Sequence, residues 1–322
     1  MAEHVEQLAL FDLGVDMRTL KRKAAELAGN ATASATARAY DADWRIFAAW
    51  CTSAGRQALP ADPDTVMLFT VSELQTRKPS TVERRLAAIV AMHRTHKLAK
   101  PVSEDIRQVL HGWKREHGSK VDSKSALTPV HIRAMVKALP KTEMGLRDRA
   151  ILTFGFATGL RRSDLARLDM RDLTFTSRGI RVFIRRGKTD QLGRGREIGV
   201  FPGKREHSDP VRWLERYIAE RGTWAGPLFV QMRKGRAHQL GKERLAPESI
   251  GDIVQRAAAL IGLDAALFGA HSLRAGCVTT AIENGIPESL VMQLTGHRSH
   301  QTLSKYVRPA RVLSIDVLAG AL

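Results

Sequence analysis

The chain has 322 residues, with 51 Lys and Arg against 33 Asp and Glu, and a formal net charge of +18. That length suits two domains of ordinary size, and the charge excess points to a polyanionic partner, most simply DNA or RNA. No apolar run reaches bilayer length and no basic helix face opposes an apolar one with interfacial aromatics, so membrane roles are set aside.

Residues 1–30 form a poorly committed segment with one short helix expected around Arg18–Leu27. Its start, "MAEHVEQLALFDLGVDM", carries acids early and lacks a basic-then-apolar signal pattern, which predicts a cytoplasmic protein. Residues 31–118 read as a small helical bundle. The first helix, "SATARAYDADWRIFAAWCTSAG", starts at a serine and ends at Gly55. "PADPDTVMLFTVSEL" opens the second after prolines, "KPSTVERRLAAIVAMHRTHK" the third at a Ser/Thr cap, and "SEDIRQVLHGWKREHG" the fourth. The polar stretch 119–126 reads as a linker, and 127–322 as a second domain, mainly α with a small antiparallel β-sheet. In that domain "TPVHIRAMVKAL" has proline just inside a threonine cap, and "GLRDRAILTFGFATGL" is a largely buried helix. Ile180, Val182 and Ile184 alternate with Arg181, Phe183 and Arg185, and Ile198 and Val200 alternate later, which predicts a hairpin with a basic, glycine-rich turn. The rest is expected to be helical.

Several residues of the second domain carry chemistry. "HSLRAG" offers Ser272 as a helix cap and sets His271 and Arg274 on one face of the first turn. Two cationic-capable groups side by side repel unless an anion sits between them. Arg161 follows a glycine turn, with Asp164 three residues on to hold it; a surface ion pair is the plainer alternative. Lys188 lies in the hairpin region and is read equally well as a solvated turn lysine. His297 follows a glycine in "LTGHRS". Of the three tyrosines, Tyr40 and Tyr217 sit beside Trp44 and Trp213 in amphipathic helices and read as core. Tyr306, between Lys305 and Arg308, is better placed to meet a phosphate, and such neighbours are expected to lower its pKa. Cys51 and Cys277 lie far apart and make neither a disulfide framework nor a zinc site. The His297/His300 and His93/His96 pairs lack further ligands, so no metal and no cofactor is expected.

"TGLRRSDL", "GKTD", "HSLRAG", "LTGHRS" and "SKYVRP" occur in the order and spacing of the tyrosine recombinases, or phage integrase family, which this chain resembles from about Ser34 to Pro309. The stretch "WRIFAAWCTSAGRQALPADPDTVMLF" and the "HGWKREHG" end are similar to Cre-like members in particular. Two positions depart from pattern: Cre-like enzymes have tryptophan at the place of His297, and the family's usual glutamate is Asp164. The resemblance implies a helical core-binding domain and a mixed α/β catalytic domain forming a C-shaped clamp on duplex DNA. It implies site-specific recombination through a 3′-phosphotyrosine intermediate and a Holliday junction, without metal or ATP. Tyr306 is then the nucleophile, His271 the base, Lys188 the acid to the 5′-oxygen, and Arg161, Arg274 and His297 the donors to the phosphate oxygens, with Asp164 bracing Arg161. The implied partners are double-stranded DNA with inverted half-sites, a homotetramer on two sites joined by the tail Val312–Leu322, and in some cases accessory DNA-bending proteins; the implied place is the nucleoid. Arg84 and Arg85, and Ser249 and Gln255 in "APESIGDIVQR", are candidates for groove contacts, against the plainer reading of solvated helix faces. Two other functions fit parts of the chain. A type IB topoisomerase shares the chemistry without paired sites. A non-enzymatic regulator would use "VTTAIENGIPESLVMQLTGH" as a helix-turn-helix.

Overall fold

The computed structural model describes residues 18–20, 22–23, 34–118, 124–185, 195–233 and 235–311. The chain divides into two compact units, Met1–Val121 and Asp122–Leu322.

Among the described residues the longer helices of the first unit are α1 Ser34–Ser53, α2 Pro63–Leu74, α3 Pro79–Thr95 and α4 Glu104–His117. Their apolar faces meet around Phe47, Val66, Phe69, Leu86, Ile89 and Ile106, with the Phe47 and Phe69 rings edge-on at 5.0 Å. Asp62 caps α2 by accepting the Thr65 N–H at 2.7 Å. The expected Ser/Thr cap of α3 is not used: Lys78 is the cap residue, its side chain makes no capping hydrogen bond, and Pro79 opens the helix. Proline has no N–H to satisfy and its fixed φ already suits a first turn. His93 is buried and fully engaged, its Nε2 accepting the Ala61 N–H and its Nδ1 donating to the Ile89 carbonyl, both at 2.9 Å.

The second unit packs helices around a largely buried helix, residues Glu143–Thr158. The segment 124–127, expected to be mostly linker, lies on this unit: Ser125 N–H donates to Leu267 O at 2.8 Å and Leu127 N–H to Ser272 O at 3.2 Å. Thr128 caps α5 (Pro129–Ala138), and Thr142 caps α6 (Glu143–Thr158), both through side-chain oxygens. Gly159 ends α6, and the short α7 follows at Arg162–Arg167. A three-stranded antiparallel sheet has the order β1 (Leu173–Thr176), β2 (Gly179–Ile184), β3 (Arg196–Val200). The β2–β3 hairpin has the expected inward set, with Ile180 opposite Val200 and Val182 opposite Ile198. Its turn, 186–194, falls outside the described residues.

After α8 (Pro210–Arg221) comes an unexpected second sheet, β4 (Val230–Arg233) with β5 (Arg236–Arg244). The stretch "RAHQLGKER" has almost no apolar period, so its strand is set by pairing with β4 rather than by its own pattern. The remaining helices are α9 Pro247–Leu260, α10 Ala270–Glu283, α11 Glu288–Thr295 and α12 His300–Arg311. Tyr217 is fully buried, its hydroxyl accepting the Val230 N–H at 3.2 Å, as expected of a core tyrosine. Tyr40 is only half-buried. Among the described residues no helix is long and apolar enough to cross a membrane.

Candidate active site

Four segments of the second unit converge: the turn from α6 into α7, the start of α10, the loop after α11, and α12. The order of these elements is what the spacing of the short motifs encodes.

α10 begins one residue before the histidine, at Ala270, with Gly269 as its cap residue. Ser272 is therefore not the cap, as first expected, but the third residue of the helix, and its hydroxyl accepts the Gly269 N–H at 3.1 Å. His271 and Arg274, three residues apart on α10, lie on one helix face as expected, with His271 in the first turn and Arg274 opening the second. Gly276 has a steric reason. A Cβ there would overlap the Leu127 carbonyl, so the glycine lets the 124–127 segment lie flat on α10.

Arg274 is 2% exposed. Its Nη1 donates to the carbonyls of Gly159 and Thr295, both at 2.7 Å, and its Nη2 donates to His297 Nε2 at 2.8 Å. Three of its five N–H donors are thus spent on holding the side chain, and Nε–H with one Nη2–H is left over among the described residues. Burial, then the neighbouring Arg161, lowers its pKa to about 10, which leaves it charged at neutral pH. Among the described residues no carboxylate lies at bonding distance from Arg274, and a buried cation so placed suits an anion.

Arg161 is the cap residue of α7 and its Nη1 lies 3.8 Å from Asp164 Oδ2. At that separation the two form an ion pair rather than a hydrogen bond. Asp164 is 3% exposed, and burial raises its pKa while Arg161 opposes the rise. Asp164 so placed holds Arg161 without spending its N–H groups.

His297 follows Gly296, which ends α11 in the left-handed conformation. Thr295 Oγ1 donates to Val291 O at 2.6 Å and lies 2.7 Å from His297 Nδ1. With its one proton so used, the hydroxyl accepts from Nδ1–H, and the ring presents its Nε2 lone pair to Arg274. Burial first, then Arg274 and Arg161, push the His297 pKa down to about 4, so the ring is neutral. In this state His297 accepts from Arg274 and has no proton to offer an anion.

Tyr306 on α12 is half-buried beside the cluster of Val278, Ile282, Val291 and Leu303. Its hydroxyl lies 2.5 Å from His271 Nε2. His271 is surface-exposed, and crowding by protein on its inner side, then Arg274 and Arg161, lower its pKa. The expectation of a depressed Tyr306 pKa is corrected: burial raises it, and the pull of Arg274 and Arg161 is smaller. The side chains of Lys305 and Arg308, on which that expectation rested, lie outside the described residues. A neutral imidazole against an unionised phenol is a base poised to take its proton. Cys277 is no competing nucleophile, since burial pushes its thiol up to about 12.

Lys188 and the tail 312–322 lie outside the described residues. The weaker DNA-contact candidates fare unevenly. Arg85 is 6% exposed and paired with Glu73 and Asp43 inside the first unit, so it cannot reach a base edge and that expectation is withdrawn. Arg84 is more open but spends Nε and Nη2 on Asp43, at 2.7 and 3.0 Å. On α9, Ser249 is half-buried, and Gln255 donates to Phe268 O at 3.3 Å. Two residues that the sequence reading passed over belong to the site: Thr295, inside the quoted "LTGHRS", and Arg196 at the start of β3. Among the described residues no three His, Cys, Asp or Glu side chains gather as a metal site.

Comparison with known proteins places the chain among DNA strand-exchange enzymes. The phage integrase family model matches residues 125–311. An integrase/recombinase xerD homolog of Selenomonas ruminantium is 30% identical over 306 residues, covering 93% of this chain and 89% of that protein. A tyrosine recombinase XerC of Pelobacter propionicus is 30% identical, over 84% and 83% of the two chains. In fold the chain is similar to lambda integrase in a dimer bound to a COC′ core site, with a TM-score of 0.62, 16% identity, and coverage of 89% of this chain and 93% of that one. It is also similar to lambda integrase in a tetramer bound to a Holliday junction, with a TM-score of 0.59, 15% identity, and coverage of 89% and 75%.

Proposed function

The chain belongs to the phage integrase family, and from that premise we propose how it performs site-specific recombination as a tyrosine recombinase. Tyr306 attacks a scissile phosphate of duplex DNA while His271 Nε2 takes its proton. The single observation that carries this is the 2.5 Å contact between the phenol and a neutral imidazole, beside two arginines. The Tyr306 pKa is raised, so the phenol does not ionise unaided at neutral pH, and the base is needed.

The pentavalent transition state gathers charge on its non-bridging oxygens. The unspent Nε–H and Nη2–H of Arg274, together with Arg161, meet that charge. An arriving phosphate also supplies the negative charge that favours a proton on His297 Nε2, turning it from an acceptor for Arg274 into a donor to oxygen. Lys188 protonates the departing 5′-oxygen. The 3′-phosphotyrosine bond keeps the phosphodiester energy, so rejoining requires no ATP.

Paired DNA sites made of inverted half-sites, a tetramer on two of them, docking of the tail into a neighbouring subunit and a nucleoid location complete the reading. The match to an integrase/recombinase xerD homolog over 93% of the chain weighs against both a topoisomerase and a non-enzymatic regulator. The test begins with duplexes selected from random-sequence DNA by the wild-type chain. A plasmid carrying two copies of the selected site should yield recombinants, and Tyr306→Phe should bind that site without recombining it. Relaxation of plasmids lacking the site, with no recombinants from paired sites, would favour the topoisomerase.

A further inference from the structure

Arg196 opens β3, where it pairs with Ile184 across the hairpin. Its side chain leaves the sheet and ends on another element. Nη1 donates to Gln293 O at 3.1 Å and to Leu294 O at 2.5 Å. These are two of the last carbonyls of α11, which have no partner within the helix. A guanidinium at a helix C-terminus also meets the negative end of the helix dipole.

The next residues are Thr295, Gly296 and His297. Gly296 has φ +69° and lies directly beneath the guanidinium; a Cβ there would stand 3.0 Å from Arg196 Nε and 3.2 Å from its Cζ. A side chain at 296 would be strained by the backbone and would require the guanidinium to give by a few tenths of an ångström. Leu294, which Arg196 holds, is bonded in sequence to Thr295, whose carbonyl accepts from Arg274 and whose hydroxyl fixes the His297 ring. Arg196 is also close enough to Asp164, Arg274 and His297 to act on their charge.

We propose that Arg196 is a positioning residue: it pins the end of α11 and thereby sets His297 against Arg274. Arg196 acts through that segment and not through the leaving group. The inference rests on the assignment of Arg274, His297 and Tyr306 to the phosphate site. A cap that served stability alone would be expected to make substitutions at 196 and 297 act independently. A residue acting through His297 makes them overlap.

The experiment measures single-turnover covalent adduct formation on a nicked duplex carrying the site selected by the wild-type chain, at saturating protein. Arg196→Ala should slow adduct formation on the order of 10-fold to 100-fold, the scale expected of misplaced catalytic groups, with DNA affinity within about twofold of wild type. Arg196→Lys, which keeps a cation and a donor, should recover most of that rate. In a His297→Ala background Arg196→Ala should add less than about twofold. Replacing the bridging 5′-oxygen by sulfur, which removes the need for an acid, should leave the Arg196→Ala defect in place. Wild-type rates in Arg196→Ala, a fully multiplicative loss in the double variant, or rescue by sulfur would each overturn the proposal. If Arg196→Ala does not fold, Arg196→Gln, which removes the cation, carries the same cycle. A wild-type chain that forms no adduct would instead overturn the assignment of the site itself.

Discussion

Lowering the pH should strike the second unit through His297. The ring is 8% exposed, and its Nε2 accepts from a guanidinium at 2.8 Å. Protonation would set a second cation against Arg274 and break that bond. Its pKa is about 4 in the folded protein against 6.5 as a reference value. The folded state therefore binds fewer protons than the unfolded state between those values, and stability falls as pH falls. The contribution is complete above pH 6.5, lost progressively down to about 4, and constant below that. At about 1.4 kcal/mol per unit, the move from pH 7 to pH 4.5 removes on the order of 2 kcal/mol. His297→Gln keeps an acceptor and a donor but does not titrate. Amide exchange of the α10 core reads the opening free energy of this unit. Wild type should lose roughly 2 kcal/mol more than His297→Gln over that pH range, because the carboxylates and His271 are common to both. Equal losses would refute a buried, neutral His297.

Three further perturbations test separate parts of the account. The acid limb of kcat/KM for adduct formation should have its midpoint below 6.5, because crowding, Arg274 and Arg161 lower the His271 pKa and the neutral ring is the active form; activity is kept above that midpoint and lost as pH falls through it, and a midpoint above 6.5 would contradict the assignment. Gly276→Ala should destabilise the second unit by about 1–3 kcal/mol in urea unfolding, since its Cβ meets the Leu127 backbone and neither side can yield freely. His93→Leu should destabilise the first unit by about 1–3 kcal/mol, as it strands the buried Ala61 N–H; an unchanged unfolding midpoint would show that water or a shifted group replaces the ring.

The helices of both units were readable because their apolar faces repeat at helical spacing and prolines mark several of their starts. The β2–β3 hairpin was readable for the same kind of reason, since Ile180, Val182, Ile198 and Val200 alternate inward. β1 is four residues long, and β5 is polar, so neither carries a period of its own. The site's arginines, histidines and tyrosine were visible as types at fixed spacing, but their partners were not. Arg274 is held by the carbonyls of Gly159 and Thr295, and carbonyls leave no mark in a sequence. Thr295 stood inside a quoted motif, yet its role depends on a hydroxyl direction set by Val291. Arg85 looked like a surface cation because Asp43, its buried partner, comes from another helix. The pKa of Tyr306 was misjudged because charge was counted from sequence neighbours, whereas the larger effect is burial.

The central claim is that Tyr306 becomes joined to the 3′-phosphate of cut DNA. Incubating the wild-type chain with a nicked duplex bearing its selected site lets the small nicked fragment diffuse away and traps the intermediate. The denatured adduct, digested with nuclease and protease, should yield a peptide in which Tyr306 carries a nucleotide through its phenolic oxygen, with a free 5′-hydroxyl on the released strand. A nucleotide on any other residue, or a 5′-phosphate linkage to Tyr306, would contradict the account.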